Sequence, residues 1–512
     1  MTTPSFTLGE APLRVSRLAE LARTAHTCVT FSAPTRQKIV SANHFLLAQQ
    51  AAGAQVYGMT TGLGAAVDTP VNLQALALTP LEIQRRIPRG RAVGVGPLAT
   101  PAQVRAMMLA RLAGIAVGHS GMSLATAEAL LALFNADVHP AVPLIGSLSE
   151  ADLAPLAHIA LVVIGEGVAE YNGESHPAGE LLASLDLSVP ELSGKDGLAL
   201  VSSNAASVGL AALLLDDMAR VFSAQTAAIA LSFEGFVANL APLSPLTARL
   251  RPAPGQGDVA ALLSELLAGG TLSTPGKARR LQDPLSFRNI AVVLGCVQQA
   301  LAGAFNATEL ELNSSDDNPA VLVEEQIILG NANFDATHLT LALEQLGLAI
   351  SRLAAAGGER LMKLMSPGVS ELPRFLVSGS AQSGFGPLQK TIAALVADVQ
   401  QQAQPLAAVT LPVADRIEDY AAQTMAVVQK LQRLLESWRL LVAIELLVAA
   451  QAIDLRTGLT LGVGTQAIYQ KVRQQVARLD EDRSSAADIR HLAALIEQEE
   501  WVPQSRLLLE KA

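Results

Sequence analysis

In this 512-residue chain, chemistry is sought first among the acids, bases and arginines that lie in irregular stretches. Tyr57 stands in Val56-Tyr-Gly-Met-Thr-Thr-Gly-Leu-Gly64, where glycines and threonines mark an irregular loop. No strand precedes it, so its Gly-x-Gly is only a weak signal for phosphate. On its own, Tyr57 reads as a core tyrosine beside a turn. Gln282-Asp-Pro-Leu-Ser-Phe-Arg288 ends on an arginine. Its planar fork suits a carboxylate held by two hydrogen bonds, and a salt bridge at a helix N-terminus is the plainer alternative. Ile83-Gln-Arg-Arg-Ile-Pro-Arg-Gly-Arg91 reads mainly as a solvated basic face. Lys390 is either a surface lysine or a proton donor. His158 lies on an apolar helical face and reads as a hydrogen-bonded core histidine. The acidic stretch Glu311-Leu-Asn-Ser-Ser-Asp-Asp-Asn-Pro319 lacks the spacing of an EF-hand calcium loop. Cys28 and Cys296 fit no metal or redox spacing, so no metal is expected.

Composition bounds what can hold these residues. Hydrophobic residues make up 50% but aromatics only 4%, and the surplus is alanine and leucine, both strong helix formers. This predicts a mainly α protein with close helix packing. A mean hydropathy of +0.35 suggests buried subunit interfaces. A net charge of −10 argues against non-specific nucleic-acid binding. The N-terminus lacks a charged-then-apolar signal pattern. The apolar run Leu440 to Ala452 is short and broken by Glu445, so no membrane span is expected. A cytoplasmic protein is the expectation.

Apolar periodicity predicts helices over Pro34–Ala52, 101–118, 123–136, Pro155–Gly165 and Ala205–Leu231. A long one is expected from Arg416 to Arg456, with short amphipathic helices in the last fifty residues. These divide into an N-terminal domain 1–205, a central long-helix domain 206–460 and a C-terminal segment 461–512.

The stretch Gly146-Ser-Leu-Ser-Glu-Ala-Asp-Leu-Ala-Pro-Leu-Ala-His158 closely resembles the signature of the aromatic amino-acid ammonia-lyases, the family of histidine and phenylalanine ammonia-lyase. Further blocks appear in family order between about residues 50 and 455. The resemblance implies a long-helix bundle of the L-aspartase/fumarase-like superfamily. It also implies a homotetramer with sites shared between subunits and a small-molecule substrate. It gives Tyr57 the place of the catalytic tyrosine. Arg91 stands where histidine-specific members carry a histidine, which brings it to the pocket rather than to a solvated face. Asp196-Gly-Leu-Ala-Leu-Val-Ser-Ser-Asn204 resembles a block whose asparagine contacts the electrophile; Ser202 replaces it, and Asn204 lies two residues on. In the 282–288 block Gln282 and Arg288 are kept for the substrate carboxylate, while the family tyrosine has become Leu285. Gly330-Asn-Ala-Asn-Phe-Asp335 places Phe334 at the ring pocket, with Asp335 replacing a histidine. Ser383-Gly-Phe385 matches another block, followed by Lys390 where histidine ammonia-lyases have an apolar residue. In Arg416-Ile-Glu-Asp-Tyr420, Glu418 takes the position facing an imidazole ring.

One departure is decisive. In the family an Ala-Ser-Gly triad cyclises into methylidene-imidazolone, the built-in electrophile. Here Ser149, Glu150 and Ala151 stand in its place. Glu150 has no β-leaving group, and Ala151 carries a Cβ where the tight turn wants glycine. No electrophile is expected. Such an electrophile turns a poor leaving group into a good one, and a trimethylammonium already leaves as neutral trimethylamine. Glu418 suits an imidazole-like ring. The expected activity is therefore 1,2-elimination of trimethylamine from ergothioneine, the thiol-imidazole betaine of histidine. Tyr57 is the expected base; a tyrosine acts so only as phenolate, which needs neighbouring positive charge or donors. Lys390 and Glu418 grip the ring, with Arg91 at the sulfur. A lyase of another betaine and a non-catalytic ligand-binding homologue are the alternatives.

Overall fold

The computed structural model describes residues 4–67, 79–406 and 411–510. It is mainly helical, with a few short strands. Contacts divide it into two units, and the chain passes between them five times, four of them inside helices. The first comprises residues 1–216, 306–341 and 406–428; the second comprises 217–305, 342–405 and 429–512.

The first unit is built around the helix Pro101–Val117, buried along nearly its whole length. A Thr100–Gln103 capping box starts this helix and Gly118, at φ 99°, ends it. Gly209 lets the start of the helix Ala205–Phe236 close on it, because a Cβ there would lie 2.6 Å from the Ala106 backbone. Two arginines inside this apolar helix are fully satisfied. Arg105 donates to the carbonyls of Ala22, Leu21 and Phe134 and pairs with Asp137. Arg111 donates to Ala199 O and pairs with Asp317 at 2.8 Å. Ser32 caps Ala33–Ala51, Ser123 caps Leu124–Asn135, and Leu153–Val163 packs in the same unit. Short sheets trim the rim: Ser5–Leu8 runs parallel to Cys28–Phe31, and Val95–Leu98 pairs antiparallel with Pro143–Ile145.

The second unit carries the longer helical segments. In its core Glu445 accepts from Arg360 Nε and Nη2 at 2.8 and 3.0 Å, from Ser232 at 2.9 Å and from Gln225 at 2.9 Å. A charge inside the run 440–452 is thus compensated in place. The helices Val463–Gln475, Ala486–Gln498 and Gln504–Glu510 complete the unit.

The predicted helices are present, shifted by one or two residues at most ends. Two differ more. The helix from Ala205 continues to Phe236. The long C-terminal helix begins at Thr424 rather than Arg416, because Ala414, Asp415 and Arg416 all adopt positive φ in a left-handed turn. Among the described residues, three helices are long and apolar enough to cross a membrane by length and composition, where none was expected. Hydropathy averaged over a helix tolerates the scattered charges that interrupt an unbroken run. The apolar window within Asp196–Phe236 is 94% buried inside the protein.

Candidate active site

The loop bearing Tyr57 is pinned from within and from outside. The Gly64 N–H donates to the Tyr57 hydroxyl at 2.9 Å. Thr60 Oγ1 accepts the Val56 N–H at 2.8 Å. Gln84, which is 2% exposed, reaches across with both ends of its amide. Its Nε2 donates to Gly58 O at 3.1 Å and its Oε1 accepts the Gly197 N–H at 2.9 Å. Gln84 belongs to the helix Pro80–Arg91, begun by a Thr79–Glu82 capping box and Pro80. Gly197 cannot carry a side chain, since its Cβ would stand 2.1 Å from Gln84 O.

The loop 146–152 is organised by Asp152, which is fully buried. Its carboxylate accepts from Ser147 at 2.7 Å and Ser149 at 3.3 Å on one oxygen, and from the Ser207 N–H and hydroxyl at 2.7 and 2.8 Å on the other. Burial pushes the Asp152 carboxyl up, and these hydrogen bonds oppose it. Ser149 is 1% exposed, and its hydroxyl also accepts the Met425 N–H at 3.0 Å. Ser149 and Ala151 adopt φ of 59° and 70°, and the Glu150 backbone bridges Asp335.

The left-handed turn at 414–416 delivers Glu418. Val413 and Glu418 exchange backbone hydrogen bonds at 3.0 and 3.3 Å across it. Glu418 lies beside the tyrosine loop: a Cβ on Gly64 would stand 3.6 Å from Glu418 Oε1. Burial, followed by the nearby Glu418 carboxyl, pushes Glu150 up to about 7. Arg91 completes the group. Burial lowers its guanidinium from the ordinary value, while the nearby Tyr57 and Glu418 oppose that shift. Tyr57, Glu150 and Glu418 thus come together on irregular segments, with Arg91 at the end of the helix Pro80–Arg91.

The remaining motif residues of this unit frame the group. Asp316 accepts from Ser203 Oγ at 2.8 Å and from the Asn204 N–H at 2.5 Å, fixing the turn that also contains Ser202. Asn204 is 1% exposed, and neither atom of its side-chain amide has a hydrogen-bond partner. Asn331 donates to Asp317 O at 3.0 Å, anchoring the segment with half-buried Phe334. Glu311 is pushed up to about 7 by burial, then by Asp316 and Asp335. His158 is half-buried as expected of a core histidine, but its Nε2 has no hydrogen-bond partner; burial lowers its pKa.

In the second unit, Arg288 Nη1 donates to Gln282 Oε1 at 2.7 Å, while Leu285 is 58% exposed. Lys390 is exposed on the first turn of the helix Leu388–Gln402.

Sequence reasoning missed Gln84, Asp152 and Arg111 as the braces of the site, because each sits unremarked inside a helix or at its edge. It also read Glu150 only as a loss. The signal available there was a charge in a loop of otherwise small residues.

The helical body that gathers a tyrosine, an arginine and two carboxyls belongs among the carbon–nitrogen lyases. Residues 13–474 match the aromatic amino acid lyases, and the chain belongs to that family. It is 35% identical over 502 residues to a histidine ammonia-lyase of Stigmatella aurantiaca, covering 97% of each chain. It is 34% identical to that of Myxococcus xanthus over 99% of each. Among solved structures it is similar to the ergothioneine-degrading ergothionase of Treponema denticola, in complex with desmethyl-ergothioneine sulfonic acid. That likeness has a TM-score of 0.91 and 30% identity over 97% of this chain and 99% of that one. The histidine ammonia-lyase of Trypanosoma cruzi gives a TM-score of 0.89 at 28% identity, covering 98% and 95%.

Proposed function

We propose that this protein eliminates trimethylamine from ergothioneine to give thiourocanate, without a methylidene-imidazolone. The observation that carries this reading is the loop 149–151. Its residues do not fit the cyclised group. The Ser149 hydroxyl is committed to Asp152 and to the Met425 N–H. Glu150 has no β-leaving group to expel as water. Ala151, at φ 70°, carries a Cβ where cyclisation wants glycine. Tyr57, Arg91 and Glu418 meanwhile lie near one another, and the ergothionase likeness points the same way.

In the elimination, Tyr57 as phenolate removes the β-proton. The carbon–hydrogen electron pair becomes the new double bond, and the carbon–nitrogen pair departs on trimethylamine. The Gly64 N–H donates to the Tyr57 oxygen, and Arg91 lies nearby. Glu418 holds the thioimidazole, and a proton or hydrogen bond donated to that ring draws density from it and acidifies the β-proton. Following the family motifs, Arg288 with Gln282 binds the carboxylate, Lys390 joins Glu418 at the ring and Arg91 assists at the sulfur. Phe334, Leu285, Ser202 and Asn204 line the site. These residues meet in a homotetramer with sites shared between subunits.

The relatives named histidine ammonia-lyase favour a second reading, with histidine as substrate. Incubation with ergothioneine and with histidine, followed by ultraviolet absorbance of the conjugated acrylate, separates the two. Thiourocanate from ergothioneine alone supports the proposal. Product from histidine, with an intact mass two waters short of the sequence, overturns it. Silence with both leaves another betaine, found by screening quaternary amines, or a binding protein.

A further inference from the structure

Two buried cations fasten the same pair of segments in the first unit. One segment is the short helix Asp196–Val201, and the other is the stretch 316–319. Arg111 donates from Nε and Nη2 to Ala199 O at 2.9 and 2.6 Å, and from Nη2 to Asp317 at 2.8 Å. Lys195, the residue before the helix, donates from Nζ to Pro319 O at 2.5 Å. Lys195, Arg111 and Asp317 are each 1% exposed. Burial, opposed by Asp317, lowers the Lys195 ammonium to about 8, so at neutral pH it is charged and its bond is charge-assisted. Asp316 and Asp317 answer the two cations, which makes their burial tolerable. Each segment leads on to a loop of the site. From the helix, the Gly197 N–H donates to Gln84, and Gln84 holds Gly58 O beside Tyr57. From 316–319, Asn318 Oδ1 accepts the Asn331 N–H and Asp317 O accepts from Asn331 Nδ2, both at 3.0 Å. Asn331 Oδ1 in turn accepts the N–H of Asn333, next to Phe334, at 2.9 Å.

We propose that Lys195 is a positioning residue, the strut that holds the Phe334 segment in register with the Tyr57 loop. Arg111 braces the same joint from the helix Pro101–Val117. This rests on the reading above, in which Tyr57 is the base and Phe334 lines the ring pocket. Lys195 is buried, and its ammonium is spent on a backbone carbonyl, so it acts through the two segments rather than on the substrate. What the strut sets is the placement of the ring against the base. Proton removal depends steeply on that placement, and a shift of about 1 Å can cost about a hundredfold in rate. A path of hydrogen bonds becomes a functional coupling only if cutting it at either end has the same effect, which is what the test measures.

Lys195→Met keeps an unbranched stem and removes the donor and the charge. Asn331→Ala cuts the far end of the path at a half-buried side chain. Amide hydrogen exchange read by mass spectrometry needs no substrate. In Lys195→Met, exchange should quicken at both 57–64 and 331–335, while the helix Pro101–Val117 stays protected and shows that the chain has folded. Unchanged exchange at 331–335 overturns the proposal. If Lys195→Met does not fold, Asn331→Ala carries the test alone: exchange at 57–64 should quicken there too, and unchanged exchange overturns the strut. The second readout is kcat for trimethylamine release from ergothioneine. It should fall by up to about a hundredfold in Lys195→Met. Lys195→Arg, which keeps a charged donor, should retain more of it. The double variant Lys195→Met/Asn331→Ala should fall no further than the worse single one, because both cut one path. Losses that multiply overturn the proposal, as does a Lys195→Met enzyme with the wild-type kcat. Coupled exchange in a protein inert to ergothioneine upholds the strut and overturns the substrate reading alone.

Discussion

The Tyr57 hydroxyl accepts the N–H of Gly64 at 2.9 Å, within the loop that carries both residues. The bond aims the phenol oxygen at the flank where Glu418 lies, since Glu418 Oε1 borders Gly64. If Tyr57 is the base, Tyr57→Phe removes the proton acceptor and leaves the ring to pack as before. Turnover should fall by about 100- to 10,000-fold, the usual range for a lost general base. Ergothioneine binding by calorimetry should change little. A Phe variant that releases trimethylamine at the wild-type rate would take Tyr57 out of the base role.

Gln84 ties this loop to the helix Asp196–Val201, and it does so in a buried place. Gln84→Ala leaves Gly58 O and the Gly197 N–H without their partner. Each unsatisfied buried group costs about 1–3 kcal/mol. The variant should melt at lower temperature and also lose kcat, because the Tyr57 loop is freed. Gln84→Glu is the informative companion. It keeps the acceptor for Gly197 but replaces the donor to Gly58 O by an oxygen, so it should damage the tyrosine loop selectively. Scanning calorimetry beside initial rates reads both effects.

How much of this was legible beforehand depends on how local the cause is. Helices with a regular apolar period and a capping residue, such as Pro101–Val117 behind Thr100, declared themselves. So did the motif positions of Tyr57 and Glu418. The turn at Ala414–Arg416 did not, because Ala414 and Arg416 disfavour positive φ and Asp415 merely tolerates it; the Val413–Glu418 backbone pair holds them there. Positive φ costs an alanine roughly 1–2 kcal/mol, so local propensity argues against the observed backbone. Arg111 is another case. Within an apolar helix it looks like an error until Asp317, some two hundred positions on, is brought against it. Which segments share a unit is likewise decided by contacts far apart in sequence.

Glu311 links the acidic stretch to stability. Folded, it keeps its proton to about pH 7, whereas the ordinary value is 4.5. Between those values the folded state binds the extra proton, so stability falls as pH rises across the window and stays low above it. Burial is the main cause, with Asp316 and Asp335 adding repulsion. Glu311→Gln removes the charge but keeps the shape. It should raise the melting temperature at pH 8 and change it little at pH 4.5. The gain at pH 8 is at most about 3 kcal/mol from the size of the shift, and less where water screens the half-buried side chain. A variant that melts like the wild type at pH 8 would mean that the carboxylate is relieved in another way.

Arg288 is held by Gln282, whose side-chain oxygen accepts from Nη1 at 2.7 Å. That leaves the other guanidinium donors for an anion. If the anion is the substrate carboxylate, the contact exists before and during the reaction, so its loss should weaken binding more than it slows chemistry. Arg288→Lys keeps the charge but loses the fork, and the two are not interchangeable at a bidentate site. KM should rise about ten- to a hundredfold, the cost of roughly one charge-assisted hydrogen bond. The fall in kcat should be much smaller. Gln282→Ala should move KM in the same direction by less, since it frees the guanidinium without removing it. Ergothioneine analogues without the carboxylate provide the control. Their turnover should be insensitive to Arg288→Lys, and equal sensitivity would mean that Arg288 supports the fold rather than the substrate.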